Sequence, residues 1–505
     1  MTILEYDDYA RKTHFSADVV VIGTGAGGAA CGAELAEAGL DVLFIEEGAH
    51  HPTSSFNPYV TESVPRLYRD ASATIIMGNP PIPFVEGRCV GGSTVLNGGM
   101  TWRAPEKILE DWERITGQPD LGQKALEPIF RQVEERVSAK PQIEASIGED
   151  NRIMAEGARR LGWRYQPNHR NQDRCVGANS CVVGCPTGAK QSTLVTYMPR
   201  ALKAGARALT ELKAESLLIE NGRCVGVMAR GVNPRTRKPD RSVTVRAKAV
   251  VVAGGAIQTP GLLLKHKLGR PSKQLGKNFL CHPNAKVLAV YDRPIRAWEG
   301  VSQGGQVREF HDDGIVFAEN FIPPGALAAQ IPWHGKGAWD LMQDYDRMVL
   351  TGVLVEDSRP GTVTTNFLSG PVAQYDVTPL DHRRFLKGIK ALATLHFEMG
   401  AARVILPFSN LHEARSVDDL KRIDETQRGP STMDLFTVHL MGTARMGSRR
   451  EQSVVDLTGE LWDLPGCYVA DASLFPTAIG VNPQITIMAL ATLVAQRLGD
   501  KVRAS

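Results

Sequence analysis

No apolar run in this sequence approaches the length of a membrane span. The run Val19 to Ile22 is far too short, and Ile485 to Ala495 is interrupted by threonine and reads as a buried helix. The first residues, Met1 to Asp8, carry acids where a secretion signal would carry bases, so the expected location is the cytoplasm. Export or membrane association beside a signal-bearing partner subunit is the alternative. A field of one sign is also missing. With 58 Lys and Arg against 55 Asp and Glu, the net charge is +3, which gives nucleic acid or an anionic membrane little to grip. No repeat or low-complexity tract occurs, and 22% charged with 43% hydrophobic residues is a globular balance that excludes bulk disorder. Cysteine is sparse at 8 residues, and Cys31, Cys89, Cys224, Cys281 and Cys467 stand singly, as small buried hydrophobes do. A chain of 505 residues exceeds one ordinary core and carries a prior of roughly three domain-sized units.

Glycine is plentiful, at 49 residues, and much of it is clustered. The β-branched run Asp18 to Ile22 suits a strand buried on both faces. Gly23-Thr24-Gly25-Ala26-Gly27-Gly28 follows, then a helical pattern from about Ala29 to Ala38 with Gly39 as its C-cap. Asp41 to Ile45 reads as a second strand ending at Glu46. Strand, G-x-G-x-x-G, helix and a following acid form the dinucleotide-binding βαβ pattern. Gly23, Gly25 and Gly28 let backbone approach a pyrophosphate, the helix N-terminus favours its charge, and Glu46 would accept from ribose hydroxyls. The motif does not distinguish FAD from NAD; a bare glycine-rich turn is the bland alternative.

A second glycine loop runs from Gly87 to Gly99 (GRCVGGSTVLNGG). It resembles the first signature of the glucose–methanol–choline (GMC) family of FAD oxidoreductases, and Val252 to Pro260 (VAGGAIQTP) resembles the second. His439 to Thr443 (HLMGT), Asp471 to Pro476 (DASLFP) and Asn482-Pro483-Gln484 are similar to the family's C-terminal stretches. These motifs span nearly the whole chain. The resemblance implies FAD rather than NAD, with Gly91, Ser93, Asn97, Gly98, Asp471 and Pro483 added to the cofactor-binding set. Two departures stand out: Trp102 comes one position later than the family places its aromatic, and Leu96 stands where some relatives carry a histidine bonded to the flavin. Leucine forms no such bond, so dissociable FAD is expected at this position.

The same resemblance implies an α/β fold: a Rossmann-like FAD-binding domain formed by 1–104, 191–285 and 430–505, and an α+β substrate domain of sheet backed by helices formed by 105–190 and 286–429. It implies oxidation of an alcohol to an aldehyde or ketone, with His439 as general base and Asn482 as hydrogen-bond donor to the alkoxide. Each residue has a plainer reading: His439 as a satisfied core histidine, Asn482 as the cap of a helix from Pro483 to about Leu498, and Asp471 as a turn residue. His282, in GKNFLCHP, reads as a packed turn. A lyase or decarboxylase on the same scaffold, or a non-catalytic FAD electron-relay subunit, are the rival functions.

Three cysteines sit together as Cys175-x5-Cys181-x3-Cys185-Pro186. The segment resembles the cluster segment of FAD-dependent glucose dehydrogenase catalytic subunits and also a segment of long-chain alcohol oxidases. The alternatives are a [3Fe–4S] centre on Cys175, Cys181 and Cys185, zinc with His169 as a fourth ligand, or reduced cysteines without metal. They bear on whether electrons reach oxygen, a quinone or a cytochrome partner. The remaining patterns are helical over Pro105 to Ile115, Leu126 to Val137 and Asp381 to Met399, and strand-like over Met348 to Val355 and Thr362 to Phe367. Phe321 to Trp339, apolar with paired prolines, reads as a lid, a channel wall or a packed loop, and its few charges lean the substrate toward apolar alcohols.

Overall fold

The computed structural model describes residues 2–320, 322–366 and 370–504. Two sheets organise them. The nine-stranded sheet has at its centre His14–Ile22, flanked by Val42–Ile45 and Pro239–Val252, with all three parallel. Leu464–Val469 also lies parallel to Pro239–Val252, while Arg223–Val232 and Leu212–Glu220 add an antiparallel edge. The valines at 19–21, 42 and 250–252 are buried, as a central parallel strand covered on both faces requires. The chain therefore has the expected α/β architecture.

The helices covering this sheet follow from local sequence. Ala26–Glu37 directly follows the first glycine loop, and Gly39 closes it with φ +87, a left-handed value that glycine adopts without strain. Gln484–Ala504 is longer at its C-terminal end than expected and buries Ile485, Met488, Leu490, Leu493 and Leu498, making it a core helix. Helices Glu106–Thr116 and Gln123–Arg136 pack Leu109, Trp112, Leu126 and Phe130 into this first core. Residues 106–136, grouped above with the substrate domain, thus share the hydrophobic core of the nine-stranded sheet.

The eight-stranded sheet is antiparallel around Asn284–Tyr291, Met348–Val355 and Ile315–Glu319. Its period-two alternation separates the faces. Ala285, Val287, Val353 and Phe317 meet Phe385, Ile389 and Leu392 of the helix Pro379–Glu398. Thr378 caps that helix by accepting from the Asp381 N–H at 3.1 Å. Asn284 and Lys286 occupy alternate positions, only partly buried, followed by Leu288 and Val290 in a smaller apolar cluster with Leu327, Ile331 and Leu341. The described part of 321–339 therefore packs on the sheet through short helices, with Trp339 68% exposed; Phe321 lies outside the described residues. Thr362–Asn366 does not join the large sheet. It forms a separate hairpin with Gly370–Gln374, and Phe367 is likewise outside the described residues. Among the described residues, no helix is long and apolar enough to cross a membrane.

Candidate active site

The two glycine loops meet. A Cβ on Gly92 would lie 2.9 Å from the Gly25 Cα, and one on Gly27 would lie 1.9 Å from the Ala470 carbonyl oxygen. Gly23 has φ +100 and would clash with Ala253. Backbone is packed on backbone here, while Gly25 keeps an open side whose nearest atom to a Cβ is 4.0 Å away. The helix from Ala26 has no acid in its first turn and so presents its N–H groups to an anion. These features fit the pyrophosphate of a dinucleotide.

Polar side chains brace the cradle. The Glu46 carboxylate accepts from the Thr24 N–H at 3.1 Å, the Thr24 hydroxyl at 2.7 Å and the Gly48 N–H at 2.9 Å, while burial raises its pKa. Thr24 Oγ1 in turn accepts from the Gly91 N–H at 3.0 Å, and Ser93 accepts from Gly87 at 3.0 Å. Asp471, its pKa raised by burial, accepts from the Gly255 N–H at 2.8 Å, Thr259 at 2.5 Å and the Ser473 N–H at 2.8 Å. It fastens the second signature to the C-terminal DASLFP stretch, a role beyond that of a turn residue.

His439 and Asn482, 43 positions apart, come together with 3.1 Å between His439 Nε2 and Asn482 Nδ2. Neighbouring donors settle the direction of that bond. Arg308 can only donate, and its Nη1 reaches Gln306 Oε1 at 3.2 Å. The Gln306 amino group therefore turns to Asn482 Oδ1 at 3.4 Å, which aims the Asn482 amino group at His439. His439 Nε2 must carry a lone pair, the state a general base needs. Burial, with His282 and Lys286 nearby, pushes the His439 pKa down to about 3 and keeps the ring neutral. Asn482 points into this chain rather than back as a helix cap. Pro483 precedes the helix, and its carbonyl accepts from the Ile487 N–H at 2.9 Å. Gln484 accepts from the Asn97 amide, tying the pair to the second glycine loop.

His282 is buried in a turn at φ +39, as a packed turn residue should be. It also lies edge-on to His439, with ring centroids 5.9 Å apart, and its Nε2 accepts from the Gly480 N–H at 3.2 Å. Its neutral ring therefore shapes the loop that delivers Asn482. Sequence reasoning missed Gln306, Arg308, Gln303 and Lys286. Gln303 is the clearest case: a Cβ on Gly98 would meet its Oε1 at 1.5 Å, so its side chain lies on the glycine loop. No local motif marks these residues; the only signal was polar side chains within β-like segments.

Cys175, Cys181 and Cys185 are free, partly buried and line one cavity of about 20 Å³ with Arg170 and Lys190. Arg170 Nη2 donates to Cys181 Sγ at 3.2 Å. Burial would raise the Cys181 pKa, but Arg170 and Lys190 hold it below its ordinary value. Lys190 Nζ donates to the carbonyls of Val95, Asn97 and Cys181 at 2.7, 2.8 and 2.6 Å, and Arg170 Nε to that of Gly98 at 2.9 Å. The cysteine loop is thereby bound to the second glycine loop. Among the described residues no three His, Cys, Asp or Glu side chains are placed to hold one metal ion, and His169 does not line the cavity. Three thiols beside two cations suit a cluster chemically. The cavity is water-sized, so a cluster would occupy it only with residues 175–185 spread apart.

Comparison with known proteins gives the family. Models of the GMC oxidoreductase family match residues 64–284 and 357–491, and an FAD-binding-domain model matches 18–56. An uncharacterised GMC-type oxidoreductase of Mycobacterium tuberculosis is 34% identical across 96% of this chain and 76% of its own length. A long-chain-alcohol oxidase of Arabidopsis thaliana is 28% identical across 98% of this chain and 68% of its own. Formate oxidase of Aspergillus oryzae shares the fold, with a TM-score of 0.73 at 16% identity over 98% of this chain and 100% of the other.

Proposed function

The chain belongs to the GMC oxidoreductase family, and from that premise we propose that it oxidises an alcohol to an aldehyde or ketone with FAD. The observation carrying this reading is the oriented pair, with 3.1 Å between Asn482 Nδ2 and a lone-pair-bearing His439 Nε2. His439 takes the hydroxyl proton at Nε2, and the Asn482 amino group donates to the alkoxide that develops. Arg308 and Gln306 hold that amide in its working orientation, and His282 fixes the turn before it. FAD, when bound, supplies the acceptor for the carbinol hydride. Gly25 would face its pyrophosphate, with Gly23 and Gly28 packed on backbone to shape the turn, and Glu46 has a lone pair left for a ribose hydroxyl. Gly91, Ser93, Asn97, Gly98, Asp471 and Pro483 would shape the remaining contacts, and Leu96 leaves the cofactor dissociable there. We place the cofactor domain on the nine-stranded sheet, including helices 106–136, and the substrate domain on the eight-stranded sheet.

Anaerobic addition of an alcohol panel to the FAD-loaded protein tests this reading. Bleaching of the flavin band supports it, and no bleaching by any alcohol favours the lyase, decarboxylase or relay alternatives. The shared cavity of Cys175, Cys181 and Cys185 favours a second reading of that loop, as ligands of an iron–sulfur cluster supplying one-electron transfer toward a quinone or cytochrome. Iron and acid-labile sulfide analysis of protein prepared without oxygen decides it: about three irons per chain support the cluster, and under about one leaves free thiols.

A further inference from the structure

Among the described residues Lys286 has no ion-pair partner. It stands in Asn284–Tyr291 on the face turned away from the helix-packed core, at the alternate position to Asn284. The strand's register sets Asn284 opposite Phe436, a short step before His439, and Lys286 Nζ lies 6.0 Å from the Phe436 ring centroid. Lys286 thus overlies a residue three positions before His439, and its charge helps to lower the His439 pKa. Among the described residues no carboxylate lies within ion-pair distance of it. Burial pushes its own pKa down to about 7, a cost that a neighbouring anion would remove.

The polar groups beside it are similarly underused. A Cβ on Gly352, opposite Lys286 in the register, would touch the amides of Asn320 at 2.7 Å and Asn284 at 2.8 Å. Asn284 Oδ1 and Gln303 Oε1 are buried without a hydrogen-bond partner. Gln303 reaches Asn320 Oδ1 at 3.1 Å and thus links this patch to Gly98 of the glycine loop. A site built for a plain alkanol would gain nothing from a half-buried ammonium and a cluster of amides, because their desolvation would go uncompensated.

We propose that the substrate is a hydroxy carboxylate, its carboxylate held by Lys286 while its carbinol meets His439 and Asn482, with the amides of Asn284, Asn320 and Gln303 serving its polar atoms. Lys286 is then a specificity residue: it binds the acid group and leaves proton removal to His439. This rests on the alcohol-oxidation reading above.

The test uses the FAD-loaded protein with butanol, with hydroxybutyrate bearing its hydroxyl on the terminal carbon, and with butyrate as an unreactive probe. In Lys286→Met the KM for hydroxybutyrate, read from anaerobic flavin reduction, should rise about 10–100-fold, while that for butanol changes less than about threefold. Lys286→Arg should keep the preference. Butyrate should perturb the flavin spectrum of the wild-type protein at concentrations that leave Lys286→Met unaffected. Equal losses with both alcohols would assign Lys286 to the alkoxide and overturn the proposal, as would equal butyrate binding by the two proteins. If no alcohol bleaches the flavin, the oxidation reading falls, and the butyrate titration still decides whether Lys286 binds a carboxylate.

Discussion

The two walls of the cleft are made of different material. The cofactor wall is backbone: glycines packed on carbonyls, with Gly27 against Ala470 and Gly92 against Gly25, and side chains only bracing from behind. The wall proposed for substrate is side chain: Asn284, Lys286 and Gln306 on strands and Asn320 just past one, with Gln306 reaching Asn482. Backbone cannot be altered one residue at a time without refolding the loop, whereas each side chain on the opposite wall is replaceable. Rigidity on one wall leaves specificity to the other.

The difference is sharpest under substitution. Gly27→Ala puts a methyl into the Ala470 carbonyl and should give protein without bound FAD, read as loss of the flavin band after purification. A yellow, full-occupancy variant would show that the cradle yields more than its packing indicates. On the opposite wall, His439→Ala should keep FAD and slow flavin reduction by about 10²–10⁴-fold in stopped flow. A loss below about tenfold in folded protein removes the histidine from the base role. Gln306→Leu frees the Asn482 amide to flip and should slow the same step by about tenfold, with FAD retained, as expected for one neutral hydrogen bond.

Acid probes the buried histidines, His282 and His439 at the site and His396 in the helix Pro379–Glu398, where it meets Tyr291 and Thr351. His282, His396 and His439 have pKa values pushed down to about 3 by burial, against about 6.5 when unfolded. Between these values the unfolded chain binds protons that the folded one refuses, so stability is full above about pH 6.5 and falls as pH drops toward 3. Urea midpoints measured from pH 7 to 4 should fall steadily, and a flat profile would contradict the burial. The smallest effect is at the thiols. In metal-free native protein a thiol reagent should label Cys175, Cys181 and Cys185 and spare the five buried cysteines, as counted by mass.

The same contrast explains what could be read from the sequence. The cradle is local: Val19 to Ile22, the glycines and the helix after them occur in one stretch, and each residue type is dictated by its own φ or by a close contact. The matching C-terminal motifs likewise marked His439 and Asn482. The substrate wall depends on register between distant segments, for Lys286 faces the cleft only because Asn284 pairs with Phe436. A lone lysine in a β-like run reads as a solvated position, and Gln306 and Arg308 acquire their meaning from Asn482, 176 positions beyond Gln306. Helices 106–136 were legible as helices, but which core they join is decided by long-range contacts, such as those of Gln123–Arg136 with the C-terminal helix, that no local pattern records.

One nitrogen has a disproportionate reach. Lys190 acts as a rivet through three carbonyls, two in the glycine loop and one in the cysteine loop. Neither loop can shift without shearing bonds to the other, so a displacement of the cysteine loop would pull on the glycine loop as well.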